Sequence, residues 1–110
     1  TVSRNRVTVE TAPVTLLAAE HPWFNHPNKI GRRDWNGWIQ ERGLYFPSEW
    51  DDAYTPLVAC ADPGERIPPG SCLVASVGDG KYAYTALGWY RQLRELHPGA
   101  LRVFANMLSW

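Results

Sequence analysis

Residues 71–87 read S-C-L-V-A-S-V-G-D-G-K-Y-A-Y-T-A-L. Two runs, Ser71 to Val77 and Lys81 to Leu87, flank Gly78-Asp79-Gly80. That loop has the length and composition a β-hairpin uses, with glycine available for positive φ. In the second arm Tyr82 and Tyr84 share one face, and Ala83 and Thr85 share the other. Small residues at 83, 85 and 86 leave room for a helix to pack closely. The C-terminal segment supplies one, with Leu101, Phe104, Ala105 and Leu108 at helical spacing. Pro98 stands at its start, where proline is tolerated. A shorter helical stretch, Trp89 to Leu96, precedes it.

Upstream of the hairpin, Tyr54 to Ala61 reads as a strand entered through Pro56. Asp62-Pro63-Gly64-Glu65 is a strong turn signal, and Pro68-Pro69-Gly70 continues that loop. Residues Arg6 to Leu17 read as extended. Val7 and Val9, then Val14 and Leu16, alternate with polar or small partners around Pro13, which predicts two short strands or one bent edge strand. His21 to Asn28, with two prolines and two asparagines, is a loop or a single helical turn. Asp34 is placed to cap a short turn.

At 110 residues the chain is one domain, able to bury a single core. Eleven basic and eleven acidic residues cancel, which gives no electrostatic case for nucleic acid or for an anionic membrane. The cluster of Lys29, Arg32 and Arg33 beside Asp34 reads as a solvated loop. No apolar run approaches the roughly 18 residues of a membrane span, and there is no signal-peptide pattern. The chain begins at Thr1 without a methionine, so residues 1–110 read as one domain that was excised, processed or trimmed from a longer protein. Cys60 and Cys72 are too few for a disulfide scaffold. They could face each other across neighbouring strands, and two buried thiols in a reducing compartment is the preferred reading.

The most unusual stretch is Trp35 to Asp52, W-N-G-W-I-Q-E-R-G-L-Y-F-P-S-E-W-D-D, with three of the six tryptophans. Gly37 to Phe46 is expected to be a strand, with Gly43 marking a bulge or a close backbone approach. Alternation then places Trp38, Gln40 and Arg42 on one face, and Ile39 and Glu41 on the other. Neither face is cleanly apolar, so the polar trio Gln40, Glu41 and Arg42 marks either a strand end or a place where polar groups are held for a reason. Trp38 and Trp89 are assigned to the core. Trp23, Trp35 and Trp50, flanked by polar or turn residues, are expected at the surface, where indoles beside polar groups can stack on sugar rings.

The familiar signatures of chemistry are missing. There is no G-x-G-x-x-G, no phosphate loop and no G-x-S-x-G. His21, His26 and His97 do not converge in sequence as zinc ligands do, so no metal or other cofactor is expected. Cys60 and Cys72 sit inside strands rather than at a strand-to-helix elbow. Glu41, Glu49, Asp51 and Asp52 lie close in sequence. Two of them with split pKa values could act on a sugar, although Glu41 paired with an arginine is the preferred reading.

Several strings together resemble a known family. They are His21-Pro22 with Pro27-Asn28-Lys29-Ile30, the long run from Asp34 to Phe46, Asp62-Pro63-Gly64-Glu65, Gly78 to Thr85, and Pro98-Gly99-Ala100 followed by Arg102 and Phe104-Ala105-Asn106. From about Val7 to Ser109 the chain is similar to the C-terminal, glutamine amidotransferase-like region of bacterial LmbE/PIG-L-like N-acetylglucosaminyl deacetylase proteins. The deacetylase zinc motif has no counterpart, since His21-Pro22 is followed by Trp23-Phe24, and neither has an amidotransferase nucleophile elbow. The resemblance implies an accessory, non-catalytic domain of a bacterial protein, cytoplasmic or exported with its parent, covering the later part of a flavodoxin-like α/β unit.

The expectation is therefore an α/β fold. It has a small mixed β-sheet of about five strands, a terminal hairpin at 71–87 and a C-terminal helix over 98–109. A sheet edge left open predicts a homo-oligomer or a missing partner domain. The expected function is non-catalytic ligand binding, with carbohydrate as ligand and Trp23, Trp35, Trp38, Gln40, Glu41, Arg42, Tyr45 and Trp50 as its contacts. The alternatives are a glycan- or amide-acting hydrolase using Glu41 and Asp51, and a purely structural or oligomerisation domain.

Overall fold

The computed structural model describes residues 1–40, 42–66 and 69–110, with Pro69 described by its backbone only. Strands β1 (Arg6–Val7), β2 (Val14–Leu16), β3 (Gly43–Leu44), β4 (Thr55–Cys60), β5 (Pro69–Val77) and β6 (Gly80–Thr85) precede helices α1 (Trp89–Arg94) and α2 (Pro98–Ser109). Two 3-10 turns, Pro22–Phe24 and Arg32–Trp35, lie between β2 and β3. The result is the expected α/β architecture with a C-terminal helix.

Four strands form a sheet in the order β2-β4-β5-β6, and β1 pairs with β3 in a separate two-stranded ribbon. All pairings are antiparallel, and both α-helices follow the last strand. The β5–β6 hairpin closes in register from Cys72 opposite Thr85 to Val77 opposite Gly80, with Gly78 at φ 57° in the turn. Beyond β6 the ribbon docks on the sheet: the Leu44 N–H donates to the Ala86 carbonyl at 2.9 Å, and the Gly88 N–H to the Arg42 carbonyl at 2.7 Å. Gly43 marks the close approach its position suggested, because a Cβ there would overlap the Ala86 carbonyl.

The long strand expected over Gly37–Phe46 is reduced to Gly43–Leu44. Gly37 at φ 76° and Gln40 at φ 61° turn the chain out of any strand path. Trp38 and Arg42 are both buried, whereas Gln40 between them is exposed and shares no face with them. Glu41 lies outside the described residues.

One face of the sheet, carrying Val58, Cys60, Cys72 and Val74, joins Trp23, Phe24, Trp35, Trp38, Trp89, Ala100 and Val103 in the core. Helix α2 packs on both 3-10 turns and on α1. Its buried stripe is Gly99, Ala100, Val103 and Asn106, while Leu101 and Leu108 point to solvent, contrary to the leucine-based helical face. Close packing decides this, since a Cβ on Gly99 would overlap the backbone of Asp34. Only small residues let the helix come so near.

Candidate functional site

The aromatic residues separate into two populations with opposite fates. Trp23, Trp35 and Trp38 are 1%, 5% and 2% exposed. The expectation that Trp23 and Trp35 would reach the surface is therefore incorrect. Polar flanking residues misled it: the 3-10 turns are tight enough to send Asn25 and Asn36 outward or sideways while the indoles turn in. Trp35 stacks on Trp38 with centroids 5.7 Å apart, and Trp89 meets Trp38 edge-on at 5.5 Å. The Trp38 indole N–H donates to the Asp34 carbonyl at 3.2 Å. Trp89 donates to Thr85 Oγ1 at 2.7 Å. Trp38 and Trp89 are thus in the core, as assigned.

The surface population is built of tyrosine. All five tyrosines line two adjoining clefts that share Tyr84. The first, about 270 Å³, is bounded by Tyr45, Tyr84 and Tyr90 with the Gly43–Leu44 and Leu87–Gly88 backbone. The second, about 260 Å³, is bounded by Trp50, Tyr54, Tyr82 and Tyr84 with Glu49 and Asp51 at its rim. Tyr82 and Tyr84 alternate with Lys81, Ala83 and Thr85 along β6, so they stand on the sheet face away from Trp89 and α2. Tyr45, Tyr82 and Tyr90 are 60%, 47% and 63% exposed.

The rings are held in place. Tyr54 meets Tyr82 edge-on at 6.0 Å. The Tyr84 hydroxyl donates to the Tyr45 carbonyl at 2.8 Å, and burial followed by the neighbouring Tyr82 raises its pKa. Trp50 lies against Gly70, where any Cβ would strike the indole. Tyr45 adopts φ 61°, a left-handed conformation costing an L-residue roughly 1–2 kcal/mol. The flanking Leu44 N–H to Ala86 and Phe46 N–H to Asn5 hydrogen bonds enforce it. Strain of this kind persists where surrounding structure over-determines it, and here it presents an exposed ring.

The remaining polar residues of the original set act on the fold. Arg42 is 4% exposed; its Nε donates to the Ala12 carbonyl at 3.0 Å and its Nη1 to the Trp35 carbonyl at 2.6 Å. The guanidinium lies 5.8 Å from the Trp38 centroid, and burial lowers its pKa. Asp51 is exposed and accepts the Ala53 N–H at 2.9 Å, the bond of a turn. The Glu41–Asp51 pair of the hydrolase reading falls partly outside the described residues.

His21 and His97 serve as helix caps. His21 Nδ1 accepts the Trp23 N–H at 3.2 Å. His97 Nδ1 accepts the Ala100 N–H at 3.1 Å, while its Nε2 lies 2.6 Å from the Asn36 carbonyl. One neutral tautomer, protonated at Nε2, satisfies both partners. Asp34 does cap its turn, though from the third turn position: its carboxylate accepts the Gly31 N–H at 2.8 Å and the Arg102 Nε–H at 2.9 Å. Among the described residues no three histidine, cysteine or acidic side chains gather as metal ligands. Cys60 and Cys72 are buried free thiols; burial raises both, that of Cys72 to about 12.

Of the residues the sequence singled out, Tyr45 and Trp50 line these clefts, and Tyr54, Tyr82, Tyr84 and Tyr90 join them there. The signal for two of these was present in the shared face of Tyr82 and Tyr84. No known family model, curated protein or solved structure matches the chain. Among the described residues no helix is long and apolar enough to cross a membrane.

Proposed function

We propose that this chain is a non-catalytic accessory domain that binds a carbohydrate on its tyrosine face. One observation carries the reading: Tyr82 and Tyr84 of β6 are joined by Tyr45, Tyr54, Trp50 and Tyr90 of α1 in lining two clefts that share Tyr84. Pyranose rings have an apolar face and a rim of hydroxyls. A row of amphipathic rings with phenol groups at their tips matches both. Glu49 and Asp51, at the rim of the second cleft, can accept sugar hydroxyl hydrogen bonds. Attachment to an LmbE/PIG-L-type deacetylase is part of the proposal and rests on the sequence strings alone.

Calorimetric titration with soluble oligosaccharides of N-acetylglucosamine, cellulose and starch tests it. Binding is expected for at least one class. Tyr82→Ala and Trp50→Ala should each weaken that binding by about tenfold, equivalent to about 1.4 kcal/mol. Flat titrations with all three classes, or affinity indifferent to both substitutions, would remove the tyrosine face as a sugar site.

A further inference from the structure

A further cleft, of about 430 Å³, is lined by Arg42, the Thr11–Thr15 segment and residues Arg32, Trp35 and Asn36 at the 3-10 turn. Its walls carry Arg32, Arg42, Thr11, Thr15 and Asn36, and no carboxylate among the described residues. Arg42 is fixed there by its two carbonyl bonds, which leave Nη2 without a hydrogen bond among the described residues. Glu10 acts on it electrostatically without forming an ion pair among the described residues.

Arg32 also borders the adjoining cleft, together with Lys29, Arg33 and Arg102. The only carboxylate there, Asp34, is already engaged by Arg102 and the Gly31 N–H. The side chains of Arg32 and Arg33 make no hydrogen bond or ion pair among the described residues. Cations thus gather along two adjoining clefts, one of them with a desolvated guanidinium in its wall, apart from the cleft of Arg4, Arg6 and Arg66.

We infer that this cleft is a binding site for an anionic group, a carboxylate or a phosphate ester, of a small ligand. Arg42 offers a rigid donor whose desolvation and ordering the fold has already met, and a guanidinium fork suits either anion. Arg32 closes the charge from the solvent side. Thr11, Thr15 and Asn36 supply neutral donors around it.

The site is independent of the tyrosine face, and one set of titrations separates them. Inorganic phosphate, glucuronate and glucose are titrated calorimetrically into the full chain, with chloride at matched ionic strength as the screening control. Phosphate or glucuronate should bind and chloride should not; any glucose binding belongs to the tyrosine face and should fall with Tyr82→Ala. Binding of phosphate alone identifies a phosphate ester, and binding of glucuronate alone a carboxylate; both support the site. Arg32→Gln, at an exposed position that leaves the core untouched, should weaken anion binding by about tenfold or more. Tyr82→Ala should leave it unchanged. Arg66→Gln, in the separate surface cleft of Arg4 and Arg6, should also leave it unchanged. The inference is overturned if neither anion binds, if chloride reproduces the effect, if Arg32→Gln binds as wild type, or if Arg66→Gln abolishes binding.

Discussion

At the scale of single residues, the recurring device is a polar side chain that completes a backbone hydrogen bond. His21 is the one with a pH consequence. Its Nδ1 accepts the Trp23 N–H, and its ring packs 5.2 Å from Trp110, over which Lys81 also sits at 4.7 Å. Burial, then the charge of Lys81, lowers its pKa from the usual 6.5. The unfolded chain therefore holds this proton more tightly than the folded one. The contribution of His21 to stability is complete above about pH 6.5 and is lost as pH falls through the lowered folded value. Urea midpoints measured from pH 7.5 down to 5 should fall for the wild type. His21→Asn keeps a capping acceptor without a titrating group, and should reduce that slope. Equal slopes would assign the acid sensitivity to another group.

At the scale of elements, two contacts position α2. Asn106 is wholly buried: its Nδ2 donates to the carbonyls of Trp23 and Asn28 at 2.7 and 2.8 Å, and its Oδ1 accepts the Asn28 N–H at 2.9 Å. Gln92 of α1 does the same for Ile39, accepting its N–H at 2.9 Å and donating to its carbonyl at 3.0 Å. Helix side chains thus supply the partners that a sheet would give to irregular loops. Gly99 sets the distance. Gly99→Ala must push α2 off the Asp34 backbone and should cost about 2 kcal/mol or more in chemical denaturation. Gly31→Ala is the control: a Cβ there meets nothing within 4 Å, and its stability should stay within about 0.5 kcal/mol of wild type. Equal costs for the two would show that the helix-to-turn contact is not tight.

At the scale of the whole molecule, the ends of the chain are tied to its middle. The Thr1 amino group donates to the Glu49 carbonyl at 2.7 Å, and α2 at the other end closes the tryptophan core. The loops at 20–40 make their own 3-10 and turn hydrogen bonds but depend on α2 for burial and for the Asn106 and Arg102 contacts. Removing residues 98–110 should therefore abolish the near-ultraviolet circular dichroism of the tryptophan cluster rather than merely shorten the protein. A truncated chain with a native tryptophan signal and a cooperative thermal transition would show that sheet and loops fold alone. The two candidate sites follow from the same layout. The β6 face turned away from α2, with the neighbouring ribbon and the start of α1, carries the tyrosine clefts, and the seam where the 3-10 turn meets β2 carries the arginine cleft.

The sequence by itself determined the hairpin at 71–87, the helix over 98–109, the broken strand around Pro13 and the close approach at Gly43. Each depends on local chemistry: a loop that needs positive φ, a 3.6-residue period, a missing N–H, a missing Cβ. The tertiary structure alone decided which rings are covered. Trp23 and Trp35 stand beside asparagine and arginine in the chain, yet burial depends on what returns to cover a residue from 60 or 80 positions away. The same holds for α2, where Gly99 and Asn106 turn inward and two leucines turn out. Apolar character favours burial for every ring and leucine alike, and the geometry of close packing selects among them.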